Sequence, residues 1–234
     1  MNRVKLLRDL VIGDGSIYRT GSESDNTGCT FSVSHSTAQA LWMDWKFRRL
    51  QKFGITCHVY QDSDERKAWR LRTTTTQEFR RLWKQWYFWE EKMQRYEKNY
   101  TTLLESEVPD EDTLAILFLD NGSRGLKNSY TDYNNGRRWE IEPYIERFKL
   151  SVGRRNQDPI VALFASFGIE TKKSREGTGN GEVLVGTNHS KLILKNIVKN
   201  FLVREGLFGT FGYKIDFVLS MKDAKRLSEL APIR

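Results

Sequence analysis

The sequence has few cysteines and prolines and no long apolar run. Cys29 and Cys57 are the only cysteines among 234 residues, they lack the spacing of a metal site, and no secretion signal accompanies them. A dense disulfide framework is therefore excluded, and we expect reduced thiols in a cytoplasmic or organellar compartment rather than secretion. No apolar stretch approaches the roughly 20 residues that cross a bilayer, so we expect no membrane partner.

Histidine is also scarce. His35, His58 and His189 are too widely spaced to predict a metal cluster or a nucleophilic dyad, and no GxSxG, Walker or HNH pattern is present. Serine-type hydrolysis and nucleotide binding are therefore poorly supported.

Positive charge is what the chain has in excess. Its 38 Lys and Arg residues against 30 Asp and Glu residues give a formal net charge of +8. This balance favours a polyanionic partner such as nucleic acid. Hydrophobic residues make up 38% of the chain, which is enough for a sizeable core and excludes intrinsically disordered and fibrous classes.

A faint internal repeat relates the two halves of the sequence. Leu7–Ser16 can be laid on Leu114–Ser123, and in each copy apolar residues at helical spacing precede a polar residue and a glycine. Each copy is thus predicted to be a helix that ends at its glycine. The segments that follow predict the order α-β-β-α-β-β-α twice. We expect an N-terminal half over 1–104, an acidic linker over 105–112 and a C-terminal half over 113–234.

The tryptophans of the first half show helical spacing. Trp83, Trp86 and Trp89 recur every three residues, which predicts one aromatic-rich helix over about 77–90 and core packing of all three rings. In the second half, alternation predicts separate strands at 138–141 and 148–152.

The paired motifs resemble those of the LAGLIDADG homing endonucleases of the monomeric, two-motif type. The most specific parts are Leu10–Gly15 and Leu114–Gly122, supported by the strand-to-helix passage Phe31–Ser36, and the resemblance covers nearly the whole chain. It implies an α+β fold in which two pseudo-symmetric αββαββα halves form an antiparallel β-sheet saddle with helices behind it. It also implies that a monomer hydrolyses both strands of a long asymmetric site in double-stranded DNA.

Two motif helices packed side by side bring their carboxyl ends together, and acidic groups there create a negative potential that attracts divalent cations. The resemblance assigns catalysis and metal binding to Asp14 and to its counterpart position, Asn121. It adds the carbonyl oxygens of Gly13 and Asp120 as ligands and Mg²⁺ or another divalent cation as cofactor. Lys98 and Lys214, each after the last helix of its half, are the expected catalytic lysines.

Asn121 departs from the family pattern, which has Asp or Glu at this position. An amide binds a hard cation more weakly and removes one negative charge. Asp120 is not a simple replacement, because it lies one residue earlier, about 100° around the helix. Three explanations remain: a catalytically disabled variant, which we favour, an enzyme that nicks one strand, or a protein that only binds. In the last case the alternative function is that of a maturase-like protein, a role some family members hold, with intron RNA as partner.

Polar residues on the predicted strands are the candidates for DNA contact, since arginine can grip guanine edges and hydroxyl or carboxylate groups can contact other edges. Ser32 and Lys149 hold matching places in the two halves, at the rim of the site. The candidates are Arg19, Ser32, Ser34, Arg70, Arg72, Arg138, Glu140, Arg147, Lys149, Lys172, Lys173 and Arg175.

Overall fold

The computed structural model describes residues 2–20, 28–36, 39–61, 68–133, 136–175 and 180–208. The first half contains α1 (Arg3–Ile12), β1 (Ser16–Arg19), β2 (Cys29–His35), α2 (Ala40–Lys52), β3 (Cys57–Gln61), β4 (Trp69–Thr73), α3 (Gln77–Trp86), β5 (Tyr87–Glu90), β6 (Arg95–Lys98) and α4 (Tyr100–Glu105). The second half contains α5 (Glu111–Asn121), β7 (Gly122–Tyr133), β8 (Gly136–Gly153), α6 (Gln157–Ser166), β9 (Thr171–Arg175), β10 (Asn180–Val185) and α7 (Asn188–Arg204). None of the described helices is both long and apolar enough to cross a membrane.

The two halves repeat one antiparallel topology. The strand order is β1-β2-β4-β3 in the first sheet and β7-β8-β10-β9 in the second. Each sheet follows its motif helix and alternates with further helices in the predicted order. The α+β class and the repeated αββαββα plan are therefore confirmed, with the β5-β6 hairpin and α4 as additions to the first half.

Local sequence explains where the motif helices begin. The side chain of Asn2 accepts a hydrogen bond from the backbone N–H of Lys5 and caps α1. Asp110 and Thr113 form a reciprocal capping box at the start of α5. Such caps satisfy backbone N–H groups that have no partner inside the helix. The second motif helix therefore begins at Glu111, inside the range predicted for the linker.

The motif helices form the centre of the core. In α1 every residue from Lys5 to Ile12 is buried, and in α5 every residue from Thr113 to Leu119 is buried. A helix without an exposed face needs packing partners around its whole circumference. Here α1 and α5 pack against each other, α1 also contacts α4 and β1, and α5 also contacts α7, β7 and β8.

A buried charged cluster joins the linker to α1. The ammonium of Lys5 lies 2.7 Å from Asp9 Oδ2 and 2.8 Å from Asp110 Oδ1, and Arg8 donates to the backbone carbonyl of Glu107 at 2.8 Å. Burial raises the pKa of Asp9, although the nearby cations oppose the effect. These contacts fix the linker against the first motif helix.

Two element predictions were wrong in detail. The helix expected over 77–90 ends at Trp86, and Tyr87 already has extended backbone. Trp83 and Trp86 are buried as predicted, but Trp89 lies on β5 and is 45% exposed. In the second half, the two strands predicted at 138–141 and 148–152 are parts of one long strand, β8.

Candidate metal centre and nucleic-acid interface

The carboxyl ends of the two motif helices meet at Gly13 and Asp120. The backbone N–H of Asp14 donates to Asp120 Oδ2 at 3.0 Å. A Cβ built on Gly13 would overlap that same oxygen. Glycine at this position therefore makes room for a carboxylate that reaches across from the other helix.

Asp120 is a buried carboxylate with a full set of partners. Its oxygens lie 2.7 and 2.8 Å from the ammonium of Lys46, and Trp42 Nε1 donates to Oδ1 at 2.6 Å. Burial alone would raise the pKa of Asp120, but the charge and hydrogen bonds of Lys46 and the bond from Trp42 hold it below its usual value. The Asp120 side chain is thus ionised and neutralised inside the protein, so it is poorly suited to hold an added metal ion.

Asp14 has a different environment, although it lies one residue beyond Gly13. Its side chain is 40% exposed, and Oδ2 lies 3.8 Å from Nδ1 of the buried His35. An accessible carboxylate beside two helix ends retains negative charge that an added cation can neutralise.

Asn121 ends the second motif helix and is half-buried. Among the described residues, no hydrogen-bond donor contacts its buried Oδ1. Burial raises the pKa of the neighbouring Tyr100 above its usual range, and a hydrogen bond from Asn121 opposes this shift. Tyr100 in turn donates to the carbonyl of Ile12 at 3.0 Å, which ties the ends of both motif helices to α4.

Lys98, at the end of β6, reaches this junction. Its ammonium donates to the carbonyl of Gly13 at 2.8 Å. Burial lowers the pKa of Lys98 to about 8, while Asp14 and Asp120 oppose that shift. A lysine with this pKa is a suitable proton donor or acceptor near neutral pH. The corresponding candidate in the second half, Lys214, lies outside the described residues.

The donor set fits a hard divalent cation at Asp14. The Asp14 carboxylate and the unpartnered Oδ1 of Asn121 are the oxygen ligands that Mg²⁺ prefers. The carbonyl of Gly13, a predicted ligand, is occupied by Lys98. The predicted ligand of Asp120 is its carbonyl oxygen, which stays a prediction, whereas its carboxylate is engaged by Lys46 and Trp42.

No pattern in the sequence predicts His35 at this site. Ligand atoms of Asp14, His35 and Asp120 all lie within 4.8 Å of one another. The spacing of the three histidines along the chain therefore does not indicate this site, because the groups near His35 are carboxylates on other elements. A usable signal was present on α2, where Trp42 and Lys46 are four residues apart and so share a helix face.

Four DNA-contact candidates of the first half lie together on one face of the first sheet. Ser32 pairs in register with Arg72, and Ser34 pairs with Arg70. Arg70 Nε lies 3.3 Å from Ser34 Oγ, and the Arg72 guanidinium lies over the ring of Tyr18. The intervening residues, such as Leu71, are buried on the other face. The sheet therefore presents a basic, hydroxyl-rich surface away from its core.

Arg19 does not share that face. It pairs with the buried Cys29, and its guanidinium lies over Trp83, which belongs to α3 behind the sheet. The structure thus separates Arg19 from Arg70 and Arg72.

The second sheet separates its candidates in the same way. Lys149 and Lys172 both pair with Leu184, and Lys149 forms an ion pair with Glu182. Lys173 pairs with the buried Val183 and reaches Asp158 of α6 at 2.6 Å. Lys173 therefore lies on the helix side. Backbone registers of the remaining candidates are Arg138 opposite Thr131, Glu140 opposite Ser129, Arg147 opposite Gly125 and Arg175 opposite Gly181.

Two packed motif helices with carboxylates at their junction, and a four-stranded antiparallel sheet of the same topology in each half, define an α+β protein built on an internal repeat. A profile described as the LAGLIDADG DNA endonuclease family matches residues 7–153. The chain belongs to this family. Comparison with curated proteins by sequence gave no significant match.

Solved structures share the fold at low identity. The homing endonuclease I-WcaI bound to its DNA recognition sequence has a TM-score of 0.56 and 14% identity, over 92% of this chain and 88% of that chain. The LAGLIDADG meganuclease I-AabMI bound to uncleaved DNA has a TM-score of 0.56 and 11% identity, over 96% and 98%. A variant of I-DmoI with its target DNA and manganese has a TM-score of 0.53 and 8% identity, over 84% and 93%. These likenesses establish the two-motif homing endonuclease fold.

Proposed function

We propose that this protein is a site-specific homing endonuclease that hydrolyses DNA with a divalent cation, and that its second strand cut is impaired. The observation that carries the proposal is the position of Asp14. It is an accessible carboxylate at the junction of two buried motif helices, close to a lysine of lowered pKa. Relatives with the same fold are seen bound to DNA.

Each residue has a distinct role in this proposal. Asp14, with Oδ1 of Asn121, holds the cation, and Mg²⁺ is the expected ion. The cation, when bound, supplies an activated water and stabilises charge on the phosphate oxygens. Lys98 is positioned to stabilise the scissile phosphate or to exchange a proton with the leaving oxygen.

DNA lies against the polar sheet faces in this proposal. Ser32, Ser34, Arg70 and Arg72 contact it from the first sheet, and Lys149 and Lys172 contact it from the second. Because the halves differ in sequence, one monomer would bind a long asymmetric target.

The asymmetry of the centre supports impairment of one strand cut. The first motif supplies the accessible Asp14, whereas the second supplies the neutral Asn121 and the ion-paired Asp120. The second motif therefore offers less negative charge than the first to hold a metal ion beside the phosphate of its strand. This arrangement favours a nick or a slow second cut over two equal cuts.

The test is cleavage of a randomised duplex library in Mg²⁺ by the natural chain and two matched variants. Asn121→Asp restores the family's second acid, and Asp14→Asn creates at the first motif the amide already present at the second. We expect nicks from the natural chain, staggered double-strand breaks from Asn121→Asp, and no cleavage from Asp14→Asn.

Enrichment of one duplex sequence without cleavage by any variant would contradict the nuclease proposal. It would instead support the binding-only alternative, a maturase-like protein, for which affinity for folded intron RNA is the next measurement. Double-strand cleavage by the natural chain at equal rates on both strands would contradict only the proposed impairment and would leave the nuclease proposal intact.

A further inference from the structure

We propose that the ammonium of Lys46 is a built-in cation between Asp120 and His35, so that the centre binds one exchangeable divalent ion, at Asp14, and none at Asp120. The proposal rests on the proposed function in one respect, since the exchangeable ion is the one assigned to Asp14. It adds a positioning role for α2, which lies outside both motif helices.

The ammonium of Lys46 has the surroundings of a bound cation. Both oxygens of Asp120 lie within 2.8 Å, and His35 Nε2 also lies at 2.8 Å. The ring of Trp42 faces the ammonium with its centroid at 5.0 Å, within the range of cation–π attraction. The side chains of Lys46 and Asp120 are fully buried. This ammonium is therefore held as a fixed part of the core rather than as a solvated surface charge.

Lys46 also determines the state of His35. An ammonium can only donate a hydrogen bond, so Nε2 of His35 must accept and the ring proton resides on Nδ1. That nitrogen faces Asp14 Oδ2 at 3.8 Å. With one nitrogen engaged by Lys46 and the other protonated, the imidazole is not available as a metal ligand. His35 instead presents a donor toward the carboxylate that would hold the exchangeable ion.

Removal of the ammonium would leave a set of ligands with an unmet charge. Asp14, His35 and Asp120 have ligand atoms within 4.8 Å of one another. Two carboxylates and an imidazole suit divalent transition metals such as Co²⁺ and Zn²⁺. A buried carboxylate without a counter-ion is costly, which would favour metal entry. Lys46 thus blocks a latent metal site.

The test uses Co²⁺ and the variant Lys46→Ala, without DNA. We expect the visible absorption of nitrogen- and oxygen-ligated Co²⁺ in Lys46→Ala and its absence from the natural chain. Affinity for Co²⁺ should rise by roughly tenfold or more, the size of change that metal-site partners produce. The matched control Lys46→Ala/Asp120→Asn should lose this gain. A folded Lys46→Ala protein without added Co²⁺ binding would overturn the proposal.

Counting ions on the natural chain tests the same idea if Lys46→Ala does not fold. Mn²⁺ electron paramagnetic resonance counts the ions bound to the natural chain and to Asp14→Asn, and we expect one ion on the natural chain and none on Asp14→Asn. Two ions on the natural chain would overturn the single-ion proposal and leave the nuclease proposal intact. No difference between the two counts would instead contradict the metal role of Asp14, on which both proposals rest.

Discussion

Gly13 and Asp120 occupy equivalent places in the two sequence motifs, and they meet at the point where the motif helices converge. Asp120 Oδ2 accepts the N–H of Asp14 and fills the space that a side chain on Gly13 would need. The pseudo-symmetric contact is therefore made by a small residue on one helix and a carboxylate on the other. This pairing brings the buried ion pair of the second motif next to the accessible acid of the first.

The first prediction concerns that contact. Gly13→Ala should lower the free energy of unfolding by about 1–3 kcal/mol, because Asp120 is fixed by Lys46 and Trp42 and cannot move aside. Urea denaturation measures the change. Gly153→Ala is the control, since its Cβ would only approach the side chain of Asn156 at 3.4 Å. Equal losses in the two variants would contradict the predicted close contact.

The second prediction concerns the charged cluster that holds the linker. Lys5→Met removes the cation shared by Asp9 and Asp110, and leaves the buried Asp9 with Arg8 as its remaining cation. We expect a loss of about 1–3 kcal/mol in the free energy of unfolding, because a charged hydrogen-bond donor to a buried carboxylate is lost. Lys173→Met breaks an exposed ion pair with Asp158 and should cost about 1 kcal/mol or less. Similar losses in chemical denaturation would show that the linker contacts contribute little.

The third prediction is that the contacts of Glu205, which join the two halves, stabilise the fold in a pH-dependent way. Burial would raise the pKa of Glu205, but hydrogen bonds from Trp45, Arg49 and Arg204 hold it below the ordinary value of 4.5. An acid with a lowered folded-state pKa stabilises the fold fully above its unfolded pKa, and this contribution is lost as pH falls through the folded-state pKa.

Glu205→Gln should therefore lower the free energy of unfolding by about 1–3 kcal/mol at pH 7. The difference from the natural chain should shrink as the solution is acidified below the ordinary Glu pKa. Thermal or urea unfolding across pH measures it. Glu97→Gln, in the exposed pair with Arg95, is the control and should cost about 1 kcal/mol or less at pH 7. A constant difference for Glu205→Gln at every pH would contradict the ionic explanation.

The fourth prediction compares two arginines in matched settings. Arg72 lies over Tyr18 at 5.4 Å and Arg19 lies over Trp83 at 5.5 Å, but they occupy opposite faces of the first sheet. Arg72→Ala should weaken DNA binding by about 1–3 kcal/mol if it contacts a base, or reduce the salt dependence by about one charge if it contacts a phosphate. Arg19→Ala should leave binding unchanged. Fluorescence anisotropy at several salt concentrations distinguishes these outcomes.

The order of elements was predictable because it depends on local periodicity. Apolar spacing was enough to find α1 and α5, and alternation located the strands. The closing glycine is right for α5, at Gly122, but α1 already ends at Ile12, with Gly13 rather than Gly15 after it. The end of α3 was missed because the aromatic spacing continues past Trp86. Backbone conformation changes at Tyr87, where bulky residues favour a strand and the chain turns into the β5-β6 hairpin.

The candidate site was predictable only where the motif carries it. Asp14 and Asn121 follow from the repeat, and Lys98 does contact the junction through Gly13. Lys46 and Asp120 are far apart in sequence and on different halves, so no periodicity connects them. Their contact depends on where α2 places Trp42 and Lys46 relative to the end of the second motif helix. Tertiary packing, rather than local propensity, thus determines the electrostatics of the centre.

Both motif helices belong to one polypeptide, and each half can therefore diverge alone. In a symmetric homodimer, an exchange of the motif acid would appear on both sides of the two-fold axis and would remove both acids at once. In this chain, Asp14 persists although Asn121 stands at the equivalent position. In the proposed function each motif serves one DNA strand, so the change of a single codon can alter the cleavage of one strand and leave the other strand unaffected.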